Sequence, residues 1–373
     1  MLSKGRICTY CVMDESNPAI QFNEVGRCNC CLDAEVRVRN GWFPGADGAE
    51  RLEQLAARLR NDGRGKSYDA IVGLSGGIDS AYLAYVGSRR LGLRLLAVHV
   101  DAGWNSEPAV RNIASIVKAL DIDLHTHVVE WGEMRDLQRA FLHASVLNQD
   151  IPQDHVFVST LLRTARRFRI RNVLSGVNLS SECVNPPGFG FPATDGYHAR
   201  AIQRRFGKVD MVSYPFMLFP EYLWRTRVRR EVVMHYPLNF MNYDKEAAKA
   251  ELARQFNWVD YGEKHSESRF TKFYQDILLT EKFGFDKRRL HLSSLIVSGQ
   301  MTREGALKEL SQPLTTPWQR KRDIKFVSKK LGMSVDELEH CIQAPEVDHC
   351  AYPNHLQFYS FLWRLQNFIR RFK

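Results

Sequence analysis

Short apolar runs alternate with amphipathic stretches through the first two thirds of the chain. Residues 68–74, 93–100, 125–129 and 172–176 have strand length and buried-strand character, and 209–215 reads as a fifth strand. Helical spacing fills 49–60, 107–120, 134–147 and 156–169. Strands alternating with helices predict an α/β fold with a doubly wound parallel sheet, whose ligand lies at the C-terminal ends of the strands. Beyond about 237 the pattern turns helical. There Gly332 ends one helix, Ser334 with Glu337 caps the next, and 356–372 forms an aromatic last helix. Glycines at 41–48, the segment 61–65 and the Pro- and Gly-rich 185–196 read as connections. The expected divisions are 1–40, 66–236 and 237–373.

The loops at the strand ends carry the chemistry. The run Ser75-Gly76-Gly77-Ile78-Asp79-Ser80 joins the first strand to a good helix opening. Two glycines there let the backbone bend and present bare N–H groups to an anion, and the helix N-terminus adds partial positive charge. Ser75 and Ser80 offer hydroxyl donors, Asp79 suits a magnesium ion, and Asp79 or Ser80 is placed to cap the helix. No lysine follows the glycines, which excludes the Walker pattern, and Ser80 stands where the dinucleotide fingerprint needs a third glycine. Asp101 ends the second strand; Gly176 and Asn178 come after the fourth. These are further nucleotide-site candidates, although Asp and Asn also favour such turns for local reasons.

Five of the eight cysteines lie in the first 31 residues. Cys8/Cys11 and Cys28/Cys31 form two Cys-x-x-Cys knuckles, the spacing of a zinc ribbon with four thiolate ligands. A disulfide pair or an iron–sulfur site would use the same residues, and Cys30 stands close enough to replace a neighbour. In so short a segment, metal binding would supply the folding energy.

A net charge of +10 fits nucleic acid, an acidic membrane surface or a polyanionic small substrate, so charge alone leaves the partner open. No apolar run approaches the roughly 18 residues of a membrane helix, and the first residues lack an apolar signal core. The expectation is a cytoplasmic enzyme.

The Ser-Gly-Gly-x-Asp-Ser loop resembles the PP-loop of ATP pyrophosphatases, the adenine nucleotide α-hydrolase-like fold, which splits ATP into AMP and pyrophosphate while adenylating an oxygen. With the cysteine knuckles and the blocks 258–272 (Trp-Val-Asp-Tyr-Gly-Glu-Lys-His-Ser-Glu-Ser-Arg-Phe-Thr-Lys) and 287–294 (Lys-Arg-Arg-Leu-His-Leu-Ser-Ser), it resembles the N-acetyl sugar amidotransferases of bacterial surface-polysaccharide biosynthesis. The resemblance implies that ATP activates the acetamido group of a nucleotide-linked sugar and that ammonia displaces AMP to leave an acetamidine. It implies ATP, Mg2+ and structural Zn2+ as cofactors and no nucleic acid. Asp79, Ser80, His265 and Glu267 would then act in catalysis, and Arg269, Lys287, Arg288 and Arg289 would clamp phosphates or a carboxylate, unless these charges line a solvated helix face. Leu2 stands where an N-terminal glutaminase needs cysteine. Ammonia would therefore come as free ammonium or from a separate glutaminase with a cyclase-like barrel. A tRNA-modifying PP-loop enzyme and a non-catalytic zinc and nucleotide module are the competing readings.

Overall fold

The computed structural model describes residues 5–17, 19–186, 191–260, 267–359 and 361. Strands β1 (Ala70–Gly73), β2 (Leu95–Asp101), β3 (Asp123–Val128), β4 (Asn172–Leu174) and β5 (Val233–His235) form one parallel sheet in the order β3-β2-β1-β4-β5. Alternation divides the central strands between two cores. Ile71, Leu96, Val98 and Val173 pack with Leu162 and Ala165 of the helix Ile151–Arg167. Ala70, Val72, Leu95, Ala97 and Leu174 face a cluster supplied by the helices Ala46–Asp62, Ile78–Tyr85, Glu107–Leu120 and Lys245–Phe256. Helices on both faces explain why the inner strands are apolar on both sides. The expected α/β fold is therefore present, and it places a switch of direction between β1 and β4, where such sheets bind ligands.

The fifth strand is not at 209–215. The backbone N–H groups of Val209, Val212 and Ser213 donate instead to the carboxylates of Asp136 and Glu133, on the helix Trp131–Ala144. A strand ladder cannot use donors that side chains have already taken. Val233–His235 pairs with β4 in their place. The packing also crosses the expected division at 236/237: Leu238, Tyr243, Leu252, Phe256 and Trp258 share the core of the sheet unit.

The N-terminal ribbon leans on the C-terminal helices. Asp14 pairs with Arg289 at 3.0 Å, both nearly buried, and Val12 N–H donates to Ser293 Oγ at 3.2 Å. Arg303 donates to the carbonyls of Cys8 and Cys11. The helix Arg288–Val297 continues this chain of contacts towards the loop after β4: Ser294 Oγ accepts from Val184 N–H at 3.0 Å. As expected, Ser334 caps the helix Val335–Gln343 through Glu337 N–H, and Gly332 adopts φ +67° at the end of the preceding one. Of the expected last helix, residue 360 and residues from 362 onward lie outside those described. Among the described residues no helix is long and apolar enough to cross a membrane.

Candidate active site

The loop after β1 is shaped by its own backbone. Gly76 sits at φ +87°, and a Cβ there would meet the carbonyl oxygen of Ala109 at 2.6 Å. Both facts require glycine. Ser75 N–H donates to Ser80 Oγ at 3.2 Å, and Ser80 Oγ donates to the Gly77 carbonyl at 3.0 Å, so the loop closes on itself. Neither Asp79 nor Ser80 is the N-cap of the following helix. Gly77 takes that position and makes no side-chain cap bond. Because glycine has no side-chain oxygen to offer, the N–H groups of the first turn remain available to an anionic ligand.

Asp79 is held rather than free-swinging. Its Oδ1 accepts from Tyr243 OH at 2.6 Å and from Asn178 Nδ2 at 3.3 Å. Burial and the Asp79 charge both push the Tyr243 phenol far above its ordinary range, so it stays a donor. Asn178 is fixed in turn by accepting from Ser180 Oγ, Ser181 Oγ and Ser181 N–H. A Cβ at Gly176 would stand 3.2 Å from the backbone of Asp79, so the β1 and β4 loops nearly touch.

Ser75, Gly77, Asp79 and Ser80 line a cavity of about 910 Å³ together with Glu267, Lys287, Arg288 and His291 from the C-terminal part. That volume lies at the upper end of the roughly 300–1,000 Å³ usual for ligand pockets. Asp101 does not line it. That carboxylate is turned into its own loop, accepting from Gly103 N–H and Asn105 Nδ2, and so shapes the connection after β2. The expected cationic clamps divide at the cavity. Lys287 lines it. Arg288 also reaches it, but its guanidinium is committed to Asp286 and to the carbonyls of Glu309 and Gln312. Arg289 points the other way, to Asp14 and the Val12 carbonyl. Arg269 pairs with Asp323 at 3.4 Å and lies over the Phe326 ring, away from the cavity. His265 lies outside the described residues.

Two carboxylates that the sequence patterns did not single out complete the lining. Asp150 and Asp154 stand one turn apart at the start of the helix Ile151–Arg167. Asp150 Oδ1 accepts from Gln153 Nε2 at 3.1 Å and from Thr271 Oγ1 at 3.2 Å. Asp154 is open to the cavity although protein surrounds it. Enclosure pushes both carboxyl groups up, Asp154 pushes Asp150 further, and Lys287 pulls both down. Tyr243, Lys245 and Lys249 were equally unmarked. No local pattern announces them, whereas two aspartates at i, i+4 beside Gln153 were a legible, if weak, signal.

Away from the cavity, the sulfurs of Cys8, Cys11, Cys28 and Cys31 all lie within 4.8 Å of one another, with Cys8–Cys31 at 3.8 Å and Cys11–Cys28 at 3.6 Å. A tetrahedron with Zn–S bonds of about 2.3 Å has an edge of about 3.8 Å, so the set fits a zinc ion. Cys30 is turned to Asn29 Oδ1 and stays out of the set.

Comparison with known proteins adds a family match. Residues 267–368 match the family model described as "LPS biosynthesis protein WbpG-like, C-terminal domain". That region holds Glu267, Arg269 and the 287–294 block, so the expected resemblance to surface-polysaccharide enzymes is met there. A curated protein, the glutamine-hydrolyzing GMP synthase of Pyrobaculum aerophilum, is 32% identical over 89 residues, which cover 24% of this chain and 16% of that protein. The chain thus spans less than a fifth of that relative's length. An NMN synthetase structure from Francisella tularensis aligns with a TM-score of 0.39 at 14% identity, covering 78% of this chain and 98% of the other. An NH3-dependent NAD synthetase from Campylobacter jejuni aligns at 0.35 and 14%, covering 69% and 98%.

Proposed function

We propose that this chain, with its WbpG-like C-terminal part, is an ATP-dependent, AMP-forming amidotransferase of the C–N ligase type. It would convert the acetamido group of a nucleotide-linked sugar to an acetamidine in lipopolysaccharide or related surface-glycan biosynthesis. The observation that carries this reading is the shared cavity: the phosphate loop and Glu267 and Lys287 of the lipopolysaccharide-family region line one space.

The chemistry rests on charge and leaving groups. An amide oxygen leaves poorly, whereas an adenylated imidate releases AMP readily. The bare N–H groups after Gly77 and the hydroxyls of Ser75 and Ser80 would hold the triphosphate. Asp79, aimed by Tyr243 and Asn178, would hold the magnesium ion that neutralises phosphate charge. Lys287 would meet the diphosphate of the sugar nucleotide. Catalysis here is positioning and electrostatics. Zinc would lock the ribbon, and through Arg289 the ribbon steadies the helix that begins beside Lys287. Ammonia would arrive as free ammonium or from a separate glutaminase with a cyclase-like barrel, in the cytoplasm.

Cys183 favours this reading over sulfur transfer to tRNA. Burial pushes its thiol up to about 11, and its Sγ lies against the Ser294 carbonyl, which is unlike a reactive thiolate.

The test incubates the purified chain with ATP, magnesium, ammonium and nucleotide-linked N-acetyl sugars. The expected products are AMP, pyrophosphate and a sugar in which NH replaces one oxygen, all lost in Asp79→Asn with the fold retained. Formation of ADP and phosphate would remove the chain from this reaction class.

A further inference from the structure

An acetamido-to-acetamidine conversion takes in a cation and makes one: ammonium enters, and a neutral acetamido group becomes an amidinium. Free ammonium is not a nucleophile until it loses a proton. Within the cavity that the phosphate loop lines, one side chain is built to take that proton.

Asp150 and Asp154 lie at i, i+4 and so share a helix face, and both line the cavity. Their surroundings differ. Asp150 is tied down by Gln153 and Thr271, the latter within the lipopolysaccharide-family region, while Ser268 Oγ donates to Gln153 Oε1 at 2.9 Å. The Asp154 carboxylate accepts no hydrogen bond from any described residue and opens to the cavity. The neighbouring phenols are occupied elsewhere: Tyr214 OH donates to the Pro152 carbonyl at 2.6 Å and Tyr274 OH to the Leu147 carbonyl at 2.9 Å. Lys287 supplies the opposing positive charge, and Glu267 and Asp276 add acids to the same lining. A fixed carboxylate beside an uncommitted one, both lining one cavity, is an arrangement suited to proton transfer.

We propose that Asp154 is a further catalytic residue, the base that deprotonates ammonium, with Asp150 as its positioning partner. The proposal rests on the amidotransferase reading. The proton passes from ammonium to the Asp154 carboxylate. The freed lone pair forms the C–N bond to the imidate carbon, and one proton shifts from the attacking nitrogen to the sugar nitrogen. The C–O bond to AMP then breaks with its electrons on the AMP oxygen, leaving an amidinium.

The experiment compares the unchanged chain with Asp154→Asn and Asp154→Glu, using UDP-N-acetylglucosamine and a panel of other nucleotide-linked N-acetyl sugars as probes. Sugar-dependent exchange of labelled pyrophosphate into ATP reports adenylation alone. Product formation is measured with ammonium and with hydroxylamine, which is largely unprotonated at neutral pH and needs no base. For Asp154→Asn the expected result is exchange and hydroxylamine rates within about twofold, and an ammonium rate lower by about 100-fold at pH 7. The deficit should shrink as pH rises and free ammonia accumulates, and Asp154→Glu should recover part of it. An unchanged ammonium rate overturns the proposal, as does an equal loss of exchange or of the hydroxylamine rate. Absence of exchange in the unchanged chain sinks the amidotransferase reading itself, and the assignment of Asp154 with it.

Discussion

The strand ends and the C-terminal helices contribute to one cavity by different means. The strand-end lining is backbone: a glycine turn at φ +87°, uncapped N–H groups and two loops in near contact. The helical lining is side chains, held by contacts remote in sequence, such as Asp14–Arg289 and Thr271–Asp150. Backbone sites are specified by adjacent residues and tolerate little change. Side-chain sites can be retuned one group at a time, so specificity is more easily altered there.

The largest expected effect strikes the backbone side. Gly76→Ala puts a methyl 2.6 Å from the Ala109 carbonyl and strains a positive φ, so the loop must shift. Turnover should fall by about 100-fold or more, with nucleotide affinity lost in a titration while the melting temperature changes little. Wild-type ATP affinity in this variant would break the distinction between the two linings.

The second test separates two adjacent cations. Arg289→Ala abandons a nearly buried Asp14 and should cost about 3–5 kcal/mol of stability, seen as a lower melting temperature and easier zinc removal by chelators. Lys287→Ala should lower the melting temperature much less and raise the KM for the sugar nucleotide about tenfold, the value of one charge-assisted contact. If both variants behave alike, the helix does not divide its charges between anchor and ligand.

A third test touches neither lining directly. His155 is next to Asp154 on the same helix and is neutral in the fold, since its Nε2 accepts from Met217 N–H at 2.9 Å. Burial lowers it to about 4, and lowers His198 to about 4 and His349 to about 3. The unfolded chain therefore binds more protons between about pH 6.5 and these values. Stability should be flat with respect to these groups above about pH 6.5 and fall as pH drops towards 4, measured by denaturant midpoints. A flat profile down to pH 4 would show that these imidazoles titrate normally.

Legibility in the sequence divides along the same line. The phosphate loop and the cysteine knuckles are readable because their geometry arises within a few residues. The alternation of strands and helices is equally plain. The position of the fifth strand is not, because Glu133 and Asp136, about 75 residues earlier, capture the N–H groups of 209–213. The basic triplet at 287–289 is unreadable for another reason. Successive helical residues point about 100° apart, so one run of charge supplies a cavity cation, a folded-back Arg288 and a buried anchor. Tyr243 and Asp150 acquire their roles only through partners 164 and 121 residues away.

The Arg289 guanidinium reaches a carbonyl 277 positions earlier in the chain. During synthesis the ribbon emerges long before the helix that braces it, so the nascent protein must wait with an unbraced ribbon. Closure of so distant a contact belongs late in folding. Chains halted before residue 289 would hold a ribbon without its arginine anchor, and would be exposed to proteases and to aggregation at that stage.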